Sequence, residues 1–210
     1  MAPGHVEFGP GAVHLPRHIA IEGQRSLVTA CLELGAGDAG FYTPIVRGGR
    51  PMSVQMLCLG RHWNALTYRY EPMRSDIDGR LPPPLPAAFA GLAADVAREA
   101  GFVFAPDICI VNWYRESSRM GLHQDKDESP ESLAAGTPVV SISLGDTARF
   151  LFGGLRRREP VASILLESGD AFVFGGPARL RYHGVSRIIP GTAPADLALD
   201  GRLNLTFREF

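Results

Sequence analysis

The sequence predicts an α+β protein, an antiparallel sandwich or jelly roll with helices packed outside it. Two observations carry this prediction. The first half holds two stretches of helical period, and the chain after residue 108 breaks into short β-branched or aromatic runs divided by glycines. In order, Ala20 to Leu34 places Ile21, Leu27, Val28, Cys31, Leu32 and Leu34 at amphipathic spacing and stops at Gly35 and Gly37. Residues 41–80 hold short β-like runs such as Met52 to Leu57, followed by arginines, aromatics and turn residues. Leu85 to Ala100 is the second helix, entered through prolines 82–84 and Pro86 and closed by Gly101.

The strand-like runs follow: Ile108 to Tyr114, Val139 to Leu144, Arg149 to Phe152, Ile164 to Leu166, Ala171 to Phe174 and Leu203 to Phe207. Gly153-Gly154, Gly169-Asp170 and Gly175-Gly176 mark tight turns, and Pro190 to Gly201 is a loop. At 210 residues, with 45% apolar and 20% charged, the chain is expected to form one domain around a sizeable core.

A net charge of −1 argues against a protein that coats nucleic acid without specificity, but leaves room for a local basic path. Lys126 is the single lysine, so nearly every cation is arginine. Cys31, Cys58 and Cys109 are scattered and odd in number, which reads as reduced thiols. The sequence has no basic-then-apolar start and no apolar run near the roughly 18 residues a membrane span needs. The expectation is therefore a cytoplasmic protein without membrane contact.

The last strand carries the strongest signal. Read with period two, Leu203, Leu205 and Phe207 share one face, while Arg202, Asn204, Thr206 and Arg208 share the other. Two guanidiniums on one strand face suit bidentate pairing with carboxylates or phosphates. Upstream, His123 and Asp125 are two residues apart in His123-Gln124-Asp125, so in extended backbone both point the same way. A distant imidazole, His183, would complete a set of two histidines and one carboxylate. That set suits non-haem Fe(II) oxygen chemistry; zinc on the same ligands would suit hydrolysis. Asn112 and Tyr114 share a face with Ile108 and Ile110, which would bury two polar groups unless something pairs with them.

Asn112-Trp113-Tyr114, His123-Gln124-Asp125-Lys126-Asp127, Phe152-Gly153-Gly154-Leu155, Gly169-Asp170, Tyr182-His183-Gly184 and Arg202-x-Asn204-x-Thr206-x-Arg208 together resemble the AlkB-type DNA repair dioxygenases. The likeness runs from about Leu15 to Arg208. It implies a double-stranded β-helix core over about 108–208 and a substrate-binding lid over about 41–80. It implies Fe(II) on His123, Asp125 and His183, with 2-oxoglutarate held by Asn112, Tyr114, Arg202, Asn204 and Arg208.

The activity implied is oxidative demethylation of 1-methyladenine- and 3-methylcytosine-type lesions in single- or double-stranded DNA, with RNA as a further candidate. Such a reaction consumes dioxygen and 2-oxoglutarate and releases succinate, CO2 and formaldehyde. Substrate contacts are expected from Trp63 and Tyr68 in the lid, from Asp127 to an exocyclic amine, and from Arg157 in Arg156-Arg157-Arg158. Trp113 and Phe174 are expected to face away from the metal. No protein partner is implied, and a monomer is expected. The alternative keeps the cofactors and oxidises a protein side chain or small molecule instead.

Overall fold

The computed structural model describes residues 4–210. Two antiparallel sheets face each other. The larger has seven strands in the order Val6–Glu7, Ala12–Leu15, Ala171–Phe174, Val139–Gly145, Arg202–Arg208, Ile108–Tyr114 and Val54–Leu59. The smaller has four, in the order Ala162–Leu166, Thr147–Phe152, His183–Ile189 and Met120–His123. Apart from Val6–Glu7 with Ala12–Leu15 and Thr147–Phe152 with Ala162–Leu166, neighbours in each sheet come from distant parts of the chain, as a jelly roll requires. Two hairpins, Ile45–Val46 with Arg50–Pro51 and His62–Asn64 with Arg69–Glu71, lie outside both sheets.

Period-two alternation gives the large sheet two chemically different faces. Leu203, Leu205 and Phe207, with Val140, Ile142 and Leu144 beside them, pack against Leu27, Val28, Phe89, Ala93 and Val96 of the helices Ile21–Gly35 and Ala87–Glu99. Burying this layer stabilises the fold by about 25 cal/mol per Å² of apolar area removed from water. The opposite face looks into the sandwich. There Phe172 and Phe174 meet Phe150, Phe152 and Val185 of the smaller sheet. Towards the open end the same face turns polar, with Ser141, Ser143, Arg202, Asn204, Thr206 and Arg208.

Both expected helices form within two residues of their expected ends. Gly101, at φ +85°, closes the second by adopting a left-handed conformation that a side chain would disfavour. The expected Met52 to Leu57 run is a strand two residues later, Val54–Leu59, because Pro51 and Met52 belong to the preceding hairpin and its exit. A third helix, Pro130–Ala135, was not expected. Its cap signals are present, since Ser129 accepts from the Ser132 amide, Pro130 opens the turn and Gly136 closes it at φ 66°. Six residues are too few to display a helical period. No helix among the described residues is long and apolar enough to cross a membrane.

Candidate active site

The strands Met120–His123 and His183–Ile189 pair so that His123 stands directly opposite His183, with ring centroids 4.4 Å apart. Asp125, two residues beyond His123, brings Oδ1 to 3.5 Å from His123 Nε2 and Oδ2 to 3.6 Å from His183 Nε2. One ligand atom from each of the three lies within 4.8 Å of the others, close enough to share one metal ion. The backbone sets the tautomers. His123 Nδ1–H donates to the Gly121 carbonyl at 2.8 Å and His183 Nδ1–H to the Arg181 carbonyl at 3.0 Å, so both Nε2 lone pairs face the cluster.

Electrostatics readies Asp125 and His183 for a cation, whereas at His123 burial lowers the imidazole pKa but the neighbouring Asp125 outweighs it and raises it. Burial pushes the Asp125 carboxyl up, but the Arg208 guanidinium and the imidazoles outweigh it and hold it well below the usual carboxylate range. Burial lowers the His183 pKa, favouring the neutral imidazole that a metal needs.

A cleft of about 640 Å³ and a smaller cavity meet at this cluster. Asn112, Met120, His123 and Arg208 line both. The smaller cavity reaches Tyr114, Ser141, His183, Arg202 and Asn204. Here the polar face foreseen in the last strand is buried: Arg202 is 1% exposed. Its Nη1 donates to the carbonyls of Asp146 and Leu166, and its Nη2 donates to Ser143 Oγ at 2.6 Å. Its Nε has no partner among the described residues, and neither has Arg208 Nη1 or Asn112 Oδ1. Leaving such groups unpaired costs about 1–3 kcal/mol each. Two buried cations with free N–H groups, in a cavity that also holds a tyrosine and two amides, fit a small diacid. A keto-diacid such as 2-oxoglutarate has the two charges to answer both guanidiniums.

The large cleft is lined by all four expected substrate residues. Trp63 Nε1 donates to Asp127 Oδ2 at 2.8 Å, and the Trp63 ring meets Tyr68 edge-on at 5.7 Å. Tyr68 stands at φ 57°, a left-handed conformation that costs a bulky residue about 1–3 kcal/mol. Arg157 donates to the Leu122 carbonyl at 2.8 Å and lies 5.8 Å from the Tyr182 ring. Arg47, from the first hairpin, sits 5.9 Å over Tyr68.

Trp113 turns outward as expected, packed on Phe41 and Arg115. Phe174 does not. Its ring lies 4.8 Å from that of His183 and lines the smaller cavity, because the alternation of Ala171–Phe174 sends Phe172 and Phe174 into the sandwich together. Two further residues escaped the sequence reading. Glu128 and Arg179, 6% and 2% exposed, form an ion pair at 3.0 Å beside Asp125 and Arg208. An acid and an arginine so far apart in sequence carry no local signal of pairing.

Comparison with known proteins agrees with this geometry. Residues 11–208 match the 2OG-Fe(II) oxygenase superfamily. The chain is 43% identical over 228 residues to DNA N(6)-methyladenine demethylase ALKBH1D of Arabidopsis thaliana, covering 98% of this chain and 51% of that protein. It thus spans about half the length of the first plant relatives it matches. It is 39% identical over 211 residues to alpha-ketoglutarate-dependent dioxygenase AlkB of Escherichia coli, covering 99% of this chain and 94% of that one. The solved structure of OsALKBH1 superposes with a TM-score of 0.93 at 41% identity, covering 99% of this chain and all of that one. With this match over nearly its whole length, and a cluster and cavity that suit both groups, the chain belongs to the AlkB group of the 2OG-Fe(II) oxygenase superfamily, whose cofactors are Fe(II) and 2-oxoglutarate.

Proposed function

We propose that this protein removes N-methyl groups oxidatively from cationic lesions in DNA, of the 1-methyladenine and 3-methylcytosine type, taking the base from a single strand. In this reading His123, Asp125 and His183 hold Fe(II), and Asn112, Tyr114, Arg202, Asn204 and Arg208 hold 2-oxoglutarate. Bound together, the two would supply dioxygen activation, one oxygen atom ending in succinate as 2-oxoglutarate loses CO2 and the other on the methyl carbon, whose hydroxymethyl group then leaves the base as formaldehyde.

The chain's own residues do the rest. Arg202 and Arg208 fix the diacid in the inner cavity, and the sandwich walls, notably Phe150 and Phe174, keep that side dry. Residues of about 41–80 act as the lid that receives a base extruded from the stack. Trp63 and Tyr68 offer aromatic surfaces, and Asp127 offers a carboxylate oriented by the Trp63 indole.

The observation that carries the choice of lesion is this pairing of aromatic rings with a carboxylate at the cleft. Methylation at N1 of adenine or N3 of cytosine makes the base a cation at neutral pH, which such a site attracts by charge and by cation–π contact. N6-Methyladenine is neutral and gains neither. The test compares short single-stranded oligonucleotides carrying each lesion, with formaldehyde and succinate measured together. The proposal expects the two cationic lesions to turn over fastest, and it fails if they survive intact or if N6-methyladenine is preferred.

Trp63→Ala removes a stacking surface and frees Asp127 from its donor. Base–aromatic stacking is worth about 1–3 kcal/mol. The Kd for a lesion-bearing oligonucleotide should therefore rise about 5- to 150-fold. Affinity for 2-oxoglutarate, which Trp63 does not approach, should not move.

A further inference from the structure

We infer that Glu128 and Arg179 are positioning residues, which close a ring of buried charges that clamps Asp125 by its main-chain carbonyl and its carboxylate at once. The inference rests on the proposed role of Asp125 as a metal ligand and adds two side chains which that role does not itself require. Arg179 Nη1 donates to the Asp125 carbonyl at 2.5 Å, and its Nη2 stands 3.0 Å from Glu128 Oε2. Glu128 Oε1 is 3.0 Å from Arg208 Nε. Arg208 Nη2 returns to Asp125 Oδ2 at 2.6 Å.

Every member is nearly sealed from water: Asp125 is 8% exposed, Glu128 6%, Arg179 2% and Arg208 7%. Two carboxylates balance two guanidiniums, which makes burial of the four tolerable. Both contacts to Glu128 are ion pairs without the alignment of hydrogen bonds, so Glu128 acts by charge and Arg179 by a directed bond.

The division of labour follows from what Asp125 must do. When its carboxylate is shared with a metal, its pull on Arg208 weakens, and Glu128 is then the anion that keeps Arg208 aimed at the inner cavity. Arg179 follows the short turn Gly176–Ala178 and lies four residues before His183. Its bond to the Asp125 carbonyl therefore ties the segment leading to one candidate ligand to the loop carrying another. The two substitutions should separate. Arg179→Lys keeps a cation but loses the fork that reaches carbonyl and carboxylate together. Glu128→Gln keeps the shape and loses the charge.

The test uses Mn(II) as the probe metal, with free Mn(II) read by electron paramagnetic resonance, and titrates 2-oxoglutarate calorimetrically into the Mn(II)-loaded chain. Loss of an outer partner of a metal ligand commonly costs 10- to 100-fold in affinity, and Arg179→Lys should raise the Mn(II) Kd by about that factor. Glu128→Gln should raise the 2-oxoglutarate Kd about tenfold, with the Mn(II) Kd within about threefold of wild type. Val96→Ala, a fully buried helix position in the other core layer, controls for lost stability.

If both ring variants melt lower, as Val96→Ala does, yet bind Mn(II) and 2-oxoglutarate like wild type, the clamp is overturned and the site assignment stands. If wild type itself binds no Mn(II), the assignment falls and the clamp with it.

Discussion

His183→Ala is expected to abolish both metal binding and turnover. The imidazole is 6% exposed, its Nδ1–H is fixed by the Arg181 carbonyl, and Nε2 is left to face Asp125 and His123. No other histidine or cysteine joins this cluster among the described residues. A metal contact contributes several kcal/mol to such chemistry, and a loss of about 4 kcal/mol is roughly a 10³-fold fall in rate. The fold should survive, because the ring's neighbours Phe150 and Phe174 belong to a larger aromatic cluster, and the expected destabilisation is about 1–3 kcal/mol. A Mn(II) titration beside a melting curve separates the two effects. Turnover persisting in a variant that still folds would mean that the third ligand lies elsewhere.

Arg202→Met should strike the co-substrate and spare the metal. Burial lowers the Arg202 pKa to about 10, so the group remains a cation at neutral pH, at the far end of the inner cavity. Truncating one partner of a buried charge pair costs about 2–5 kcal/mol. The 2-oxoglutarate Kd should therefore rise about 30- to 5,000-fold, which corresponds to roughly 2–5 kcal/mol. Arg202 touches none of His123, Asp125 or His183, so the Mn(II) Kd should stay near wild type. The substitution also strands Ser143 Oγ and two carbonyls, and a lower melting temperature will accompany the loss. Equal losses of Mn(II) and 2-oxoglutarate binding would contradict the separation of the two subsites.

What the sequence made legible was whatever a short period could encode. The last strand announced its two faces because alternation there is strict, and the structure buries both as the pattern requires. Ile108–Tyr114 forms with the expected ends for the same reason. His123 and Asp125 were readable as a pair through their spacing. Relations across the chain were not readable in this way. The Glu128–Arg179 pair arises only because the turn before His183 folds against the loop after Asp125, and each residue alone looks like ordinary surface charge. Phe174 was misplaced because reading the inward face of a four-residue strand requires knowing which sheet covers it. The Tyr68 backbone, in a region bulky residues avoid, belongs to the turn between His62–Asn64 and Arg69–Glu71 and has no signature in the residue itself.

An anaerobic titration of the purified chain with Fe(II) and 2-oxoglutarate, followed in the visible range, tests the iron and diacid sites together. If His123, Asp125 and His183 hold one iron beside a diacid gripped by Arg202 and Arg208, a weak absorption band will grow only when both are present. It will saturate at one iron per chain and be missing from His183→Ala. A spectrum that stays flat with both added, or a band that His183→Ala retains, would contradict the account.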